Sequence, residues 1–240
     1  MRGRAIKLSR PRRLVNDLMR FSIRIPRVTV QRRMNIAPLV EARAALPARP
    51  SWTAIFLKGY GLLAKETPEL RRAYVRLPWP RLYEYPESVG SVACEREYEG
   101  EPAVLLARIR SPEHCTIGEL DAAVRAARST PVMEVKDFRR ALNMARAPAP
   151  VRWLYSAMGA ESLNPLTPLT TLLNYGPIDP EGRVNVRILY DHRVMDGALI
   201  ARTLERFEAI LNGAVADEVA ALAQVPPVRP DIGEGSHEGG

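Results

Sequence analysis

The chain has 240 residues, 46% of them apolar, which is enough to bury one large core or two small ones and excludes a disordered protein. Its formal net charge is +8, and it carries only two cysteines (Cys94, Cys115) and three histidines. These counts argue against a metal site or a disulfide framework and fit a reduced, cytoplasmic protein. No apolar run approaches the roughly 18–20 residues of a membrane span, and no apolar segment follows the basic N-terminus as in a secretory signal.

Much of the charge sits in the first 33 residues, where eleven Arg and Lys face the single acid Asp17. Such an arm suits nucleic acid, a phosphate-bearing cofactor or a solvated surface. With aromatics at 6% and no aromatic-plus-basic stacking motif, nucleic acid is the least favoured of the three.

In chain order, residues 1–20 read as a basic arm entering a short helix at 14–20, with Pro11 just ahead of the helix start. Residues 21–35 alternate as a strand, with Pro26 marking an edge or a break. A first helix follows at 38–45. Ser51 is placed to cap a second, 52–67, which is apolar nearly all round and so is expected at the centre of the domain. It stops at Pro68-Glu69-Leu70. Residues 75–85, interrupted by Pro78 and Pro80, read as an irregular strand region, and 88–97 with 103–109 as a hairpin closed at Glu99-Gly100-Glu101.

Thr116 and Glu119 stand at capping-box spacing for a helix running to 128, and 134–146 reads as another helix. His114 and Cys115 are adjacent just before that cap. Neighbours in sequence point apart, so a loop position is the default reading and a catalytic pair the minor one. Residues 147–150 form a short loop, 169–175 an apolar strand, and Pro180-Glu181-Gly182 a turn. The last helix runs out over 214–225, and 226–240, with its Gly, Ser and Glu, is expected to be disordered.

The informative stretch is Arg187 to Gly197. Val184, Val186, Ile188, Tyr190 and His192 share one face of a strand by period two, while Asn185, Arg187, Leu189 and Asp191 share the other. His192 is therefore expected to point inward with the apolar side chains. An Asp196-Gly197 pair then turns the chain, and Leu199 or Ile200, Leu204, Phe207 and Leu211 recur at helical spacing. A lone histidine here would be an ordinary paired core residue; the complete pattern is more specific.

His192-x-x-x-Asp196-Gly197, strand before and helix after, resembles the active-site signature of the chloramphenicol acetyltransferase-like superfamily. The run Asp191-His192-Arg193-Val194-Met195-Asp196-Gly197 most resembles the catalytic domain of 2-oxoacid dehydrogenase acyltransferases, the dihydrolipoamide acyltransferases. The long apolar helix ending at Pro68-Glu69-Leu70 is similar to that family as well. The resemblance implies an α/β fold, a chloramphenicol acetyltransferase-like two-layer sandwich in which helices pack on a mixed β-sheet, over residues 21–213.

The resemblance also implies an activity, the transfer of an acyl group between coenzyme A and a small-molecule acceptor bearing a thiol, hydroxyl or amine. His192 would be the general base, the task for which imidazole is best suited near neutral pH. Ser156, in Ser156-Ala157-Met158-Gly159, would stabilise the oxyanion, although residues 153–155 read equally as the end of a helix. Asp196 would pair with an N-terminal arginine, Arg12 or Arg13, or simply cap the last helix. Gly197 would permit the tight turn. The family implies a homotrimer with active sites between subunits and no metal.

No lipoyl or subunit-binding segment precedes the matching region, so a stand-alone acyltransferase core is expected rather than one fed by a swinging lipoyl arm. The alternative is a non-catalytic scaffold or assembly protein that keeps the fold.

Overall fold

A computed structural model describes residues 3–76, 78–158 and 170–224. The central element is the helix α3 (Trp52–Glu66), where Ser51 Oγ accepts the N–H of Ala54 at the N-terminus and Ala54, Ile55, Phe56, Leu63 and Ala64 are all buried. Against it lies a three-stranded antiparallel sheet in the order β1 (Arg27–Asn35), β7 (Arg183–Asp191), β6 (Thr171–Tyr175). Alternation sends Val184, Val186, Ile188 and Tyr190 of β7 inward, where α2 (Ala37–Ala44), α3 and α7 (Gly197–Ile210) cover them. Phe56 stacks on Tyr175 at 4.1 Å between ring centroids and meets Phe207 edge-on at 5.9 Å, which locks helix, strand and helix together.

A second core forms under the hairpin of β4 (Val89–Tyr98) and β5 (Glu101–Arg110). The hairpin closes through Glu99 and Gly100, both at positive φ (54° and 78°), as the mirror-image two-residue turns require. Cys94, Leu105 and Ala107 on its inner face pack against Val124 of α4 (Ile117–Ser129) and Phe138 and Leu142 of α5 (Lys136–Met144). The Thr116–Glu119 capping box is present at the start of α4. Burial among apolar neighbours raises the pKa of the Cys94 thiol. A small hairpin, β2 (Arg72–Val75) with β3 (Arg81–Glu84), fills the region expected to be an irregular strand.

The expected α/β sandwich of helices on sheet is present, but the sheet layer differs in detail. Among the described residues it is divided into three antiparallel pieces instead of one mixed sheet. The N-terminal region also differs. A helix, α1 (Arg10–Ser22), starts earlier than expected and takes the place of the first part of the expected strand. The helix is packed down: Asp17 is buried and accepts from the guanidinium of Arg152 and the indole N–H of Trp153, on α6 (Ala149–Met158). Of the loop expected at 147–150, residues 147 and 148 are non-helical, while Ala149 already starts α6.

The last helix does not run out at 214. It bends through a π-type turn, Leu211–Val215, at Gly213 and resumes as α8 (Ala216–Ala221). The tail expected at 226–240 lies outside the described residues.

Candidate active site

β7 ends one residue before the histidine. The Asp191 carbonyl accepts from the N–H groups of Val194 and Met195 at 3.0 and 3.4 Å, which turns the chain out of the strand. The His192 N–H still reaches across to the carbonyl of Pro26, at 3.0 Å, just before β1 begins. The alternation that aims Tyr190 inward therefore stops before His192, and His192 is exposed instead of inward-facing. Asp191, expected on the outer face, is the buried one at 5% exposure. Its carboxylate accepts from the backbone N–H, Nε and NH2 of Arg193 at 3.0, 2.9 and 2.6 Å. The ring of Tyr190 lies 5.9 Å from that of His192, between centroids.

Asp196 is the N-cap of α7, its Oδ1 accepting the N–H of Leu199 at 2.8 Å. Its charge, after burial itself, helps to raise the pKa of Tyr190. Gly197 does not have positive φ, so its freedom is not what the turn uses. What matters is closeness, because a Cβ there would stand 3.3 Å from the Tyr190 hydroxyl. The expected partner of Asp196 is engaged elsewhere. Arg13 donates to the carbonyls of Leu8 and Ala145, and no ion pair joins it to Asp196 among the described residues; Arg12 is exposed.

The backbone of Ser156 belongs to the last turns of α6, so the helical alternative holds for this stretch; its side chain lies outside the described residues. His114 and Cys115 sit in the turn before α4, the thiol facing the carbonyls of Arg110 and Ser111.

Sequence reasoning did not identify two features, one beside the histidine and one along α3. One is the Asp191–Arg193 closure, whose signal was the Asp-His-Arg triplet itself. The other is a groove of about 340 Å³ along α3, walled by the start of β4 and by β6. It reaches Thr170 and Thr171, which adjoin Asp191 and Tyr190 in the sheet. In its wall, Tyr60 donates to Thr171 Oγ1 at 2.7 Å, and burial pushes its pKa up to about 12.

No family model matches the sequence, and no curated protein matches it. Solved structures do match the fold. A probable dihydrolipoamide acetyltransferase from Listeria monocytogenes aligns at 15% identity over 87% of this chain and 94% of its own, with a TM-score of 0.59. The cubic core of a pyruvate dehydrogenase multienzyme complex aligns at 15% identity over 90% and 93%, with a TM-score of 0.57. The dihydrolipoamide acetyltransferase of Azotobacter vinelandii, studied for the catalytic roles of a serine, a histidine and an asparagine, aligns at 16% identity over 90% and 93%, with a TM-score of 0.56. The chain has the fold of these acyltransferase cores, as the sequence led us to expect.

Proposed function

We propose that this protein is an acyltransferase that moves an acyl group between coenzyme A and a thiol, hydroxyl or amine acceptor, with His192 as general base. The observation that carries the reading is the exposed His192 at the end of β7, four residues before the helix cap Asp196, in a chain with an acyltransferase-core fold. The imidazole takes the acceptor's proton as the acceptor attacks the thioester carbonyl, then returns it to the departing coenzyme A sulfur. The oxyanion needs a hydrogen-bond donor, the role we give to the Ser156 hydroxyl. Losing one such donor typically costs about 2.7–4 kcal/mol of barrier.

An exposed base suits a site completed by another copy of the chain, so the functional unit is proposed to be a homotrimer with sites between subunits. The relative solved as a cubic core is itself an assembly. Two free cysteines suit a reduced, cytoplasmic setting. Among the described residues no helix is long and apolar enough to cross a membrane. The test is thiol release from acyl-CoA donors by wild type beside His192→Ala.

One observation favours a second reading, a non-catalytic scaffold or assembly protein. Arg13 donates to the carbonyls of Leu8 and Ala145, so the arginine–aspartate pair that the family resemblance implies is not made by this arginine. A scaffold of that kind binds no acyl-CoA in calorimetry and co-purifies with another enzyme subunit.

A further inference from the structure

The two residues that flank His192 close on each other. Asp191 and Arg193 form a half-buried ion pair, NH2 to Oδ2 at 2.6 Å, with side-chain exposures of 7% and 33%. The carboxylate also takes the Arg193 backbone N–H at 3.0 Å. Positions i and i+2 are thus tied to each other, and His192 between them is exposed.

Two backbone contacts complete the brace. His192 N–H is held by Pro26 ahead of β1, and Val194 N–H by the Asp191 carbonyl. The guanidinium does not end at the carboxylate. It lies over the ring of Tyr74, 4.2 Å from the centroid, and Tyr74 belongs to β2, an element outside the sheet that carries the histidine. An arginine serves this geometry where a lysine would not, because its planar fork can grip a carboxylate at its edge while its face rests on an aromatic ring.

We infer that Asp191, Arg193 and Tyr74 form a clamp that sets the conformation of the His192 turn and so the direction in which the imidazole is presented. These are positioning residues, acting through His192 and touching no reacting atom. The clamp deepens the acyltransferase reading and rests on it for its effect on turnover, but its effect on the turn is independent of any activity. It also makes the β2–β3 hairpin part of the site's support, since Tyr74 is one face of the grip.

The test uses the full chain and the variants Arg193→Met, Arg193→Lys, Tyr74→Leu, Asp191→Asn and the Asp191→Asn/Arg193→Met double. Amide hydrogen exchange at His192 and Val194 reads the turn directly, with Ile188 in mid-strand as the internal control. In Arg193→Met, exchange at both turn amides should rise about tenfold or more while Ile188 stays within twofold. Turnover with an acyl-CoA donor should show kcat falling about tenfold or more with KM within threefold. Arg193→Lys should recover part of that loss, Tyr74→Leu should show a smaller one, and the double variant should be no worse than the worse single.

Unchanged exchange at His192 and Val194 overturns the clamp whatever the activity. Unchanged kcat in an enzyme that depends on His192, or losses that add in the double variant, overturns its positioning effect on turnover. If wild type and His192→Ala release thiol equally, the acyltransferase reading has failed, and the exchange data alone decide whether the clamp exists.

Discussion

Asp17 and Arg152 meet in an ion pair that is almost wholly buried, with the carboxylate held by Nε at 2.6 Å and NH2 at 3.2 Å of the same guanidinium. It joins the first helix to the sixth across 135 positions of sequence. Trp153 Nε1 shares the same carboxylate at 3.1 Å, and Arg20 covers the indole face at 3.7 Å from its centroid.

Asp17→Ala takes the carboxylate away from a guanidinium that is itself buried, so it should destabilise by about 3–5 kcal/mol. Replacing both charges with apolar side chains, Asp17→Leu with Arg152→Met, should cost far less, because neither charge is then stranded. Urea unfolding midpoints for the singles and the double, compared at equal m-value, check this. A double variant as unstable as Asp17→Ala contradicts it.

Asp196 caps α7, so Asp196→Ala should lose about 1 kcal/mol, within the usual range of about 0.5–2 for a lost cap. Asparagine caps about as well as aspartate, and Asp196→Asn should keep most of that stability. Thermal unfolding of the two variants side by side gives the answer. Equal losses would mean that the charge, and not the cap, is what this position supplies.

The raised pKa of Tyr60 carries a pH dependence at the alkaline end. The folded protein holds the phenolic proton more tightly than the unfolded chain does. The stability this contributes is complete below the unfolded value of 10.0 and is lost as pH rises to about 12. Tyr60→Phe removes this component, and its stability should fall less steeply over that window than the wild type's. Parallel slopes would contradict the assignment.

Gly182 has φ of +77°, and a Cβ there would stand 2.6 Å from the Cα and 2.7 Å from the backbone nitrogen of Ala37. Its carbonyl also accepts from Ile36 at 2.8 Å, which fixes the β7 entry turn against the start of α2. Gly182→Ala combines a disfavoured conformation with a clash against backbone, and should cost more than about 1 kcal/mol. Circular dichroism melts of the variant provide the check; an unchanged midpoint would mean that the turn has another conformation.

The elements that could be read from the sequence are those whose signals are local. Helix α3 announced itself by its apolar sides and Ser51, α4 by Thr116 and Glu119, and β7 by the alternation from Val184 to Tyr190. The misreadings share one cause, a partner distant in sequence or a pattern that stops. Helix α1 has no long apolar period in its arginine-rich first turns, and part of its hold comes from Arg152 on another helix. At His192 the period-two rule was extended one residue past the strand's last bridge, so Asp191 and His192 exchanged their expected faces. The Asp191–Arg193 closure depends on a turn geometry, and Tyr74 on a tertiary contact, neither of which periodicity encodes.

The central claim is that His192 is the base of an acyl transfer. Thiol release from a panel of acyl-CoA donors with mixed acceptors, measured for wild type and for a folded His192→Ala variant of the same assembly state, tests it most directly. The account predicts release by the wild type that falls to background in the variant. Equal release by both proteins would contradict it.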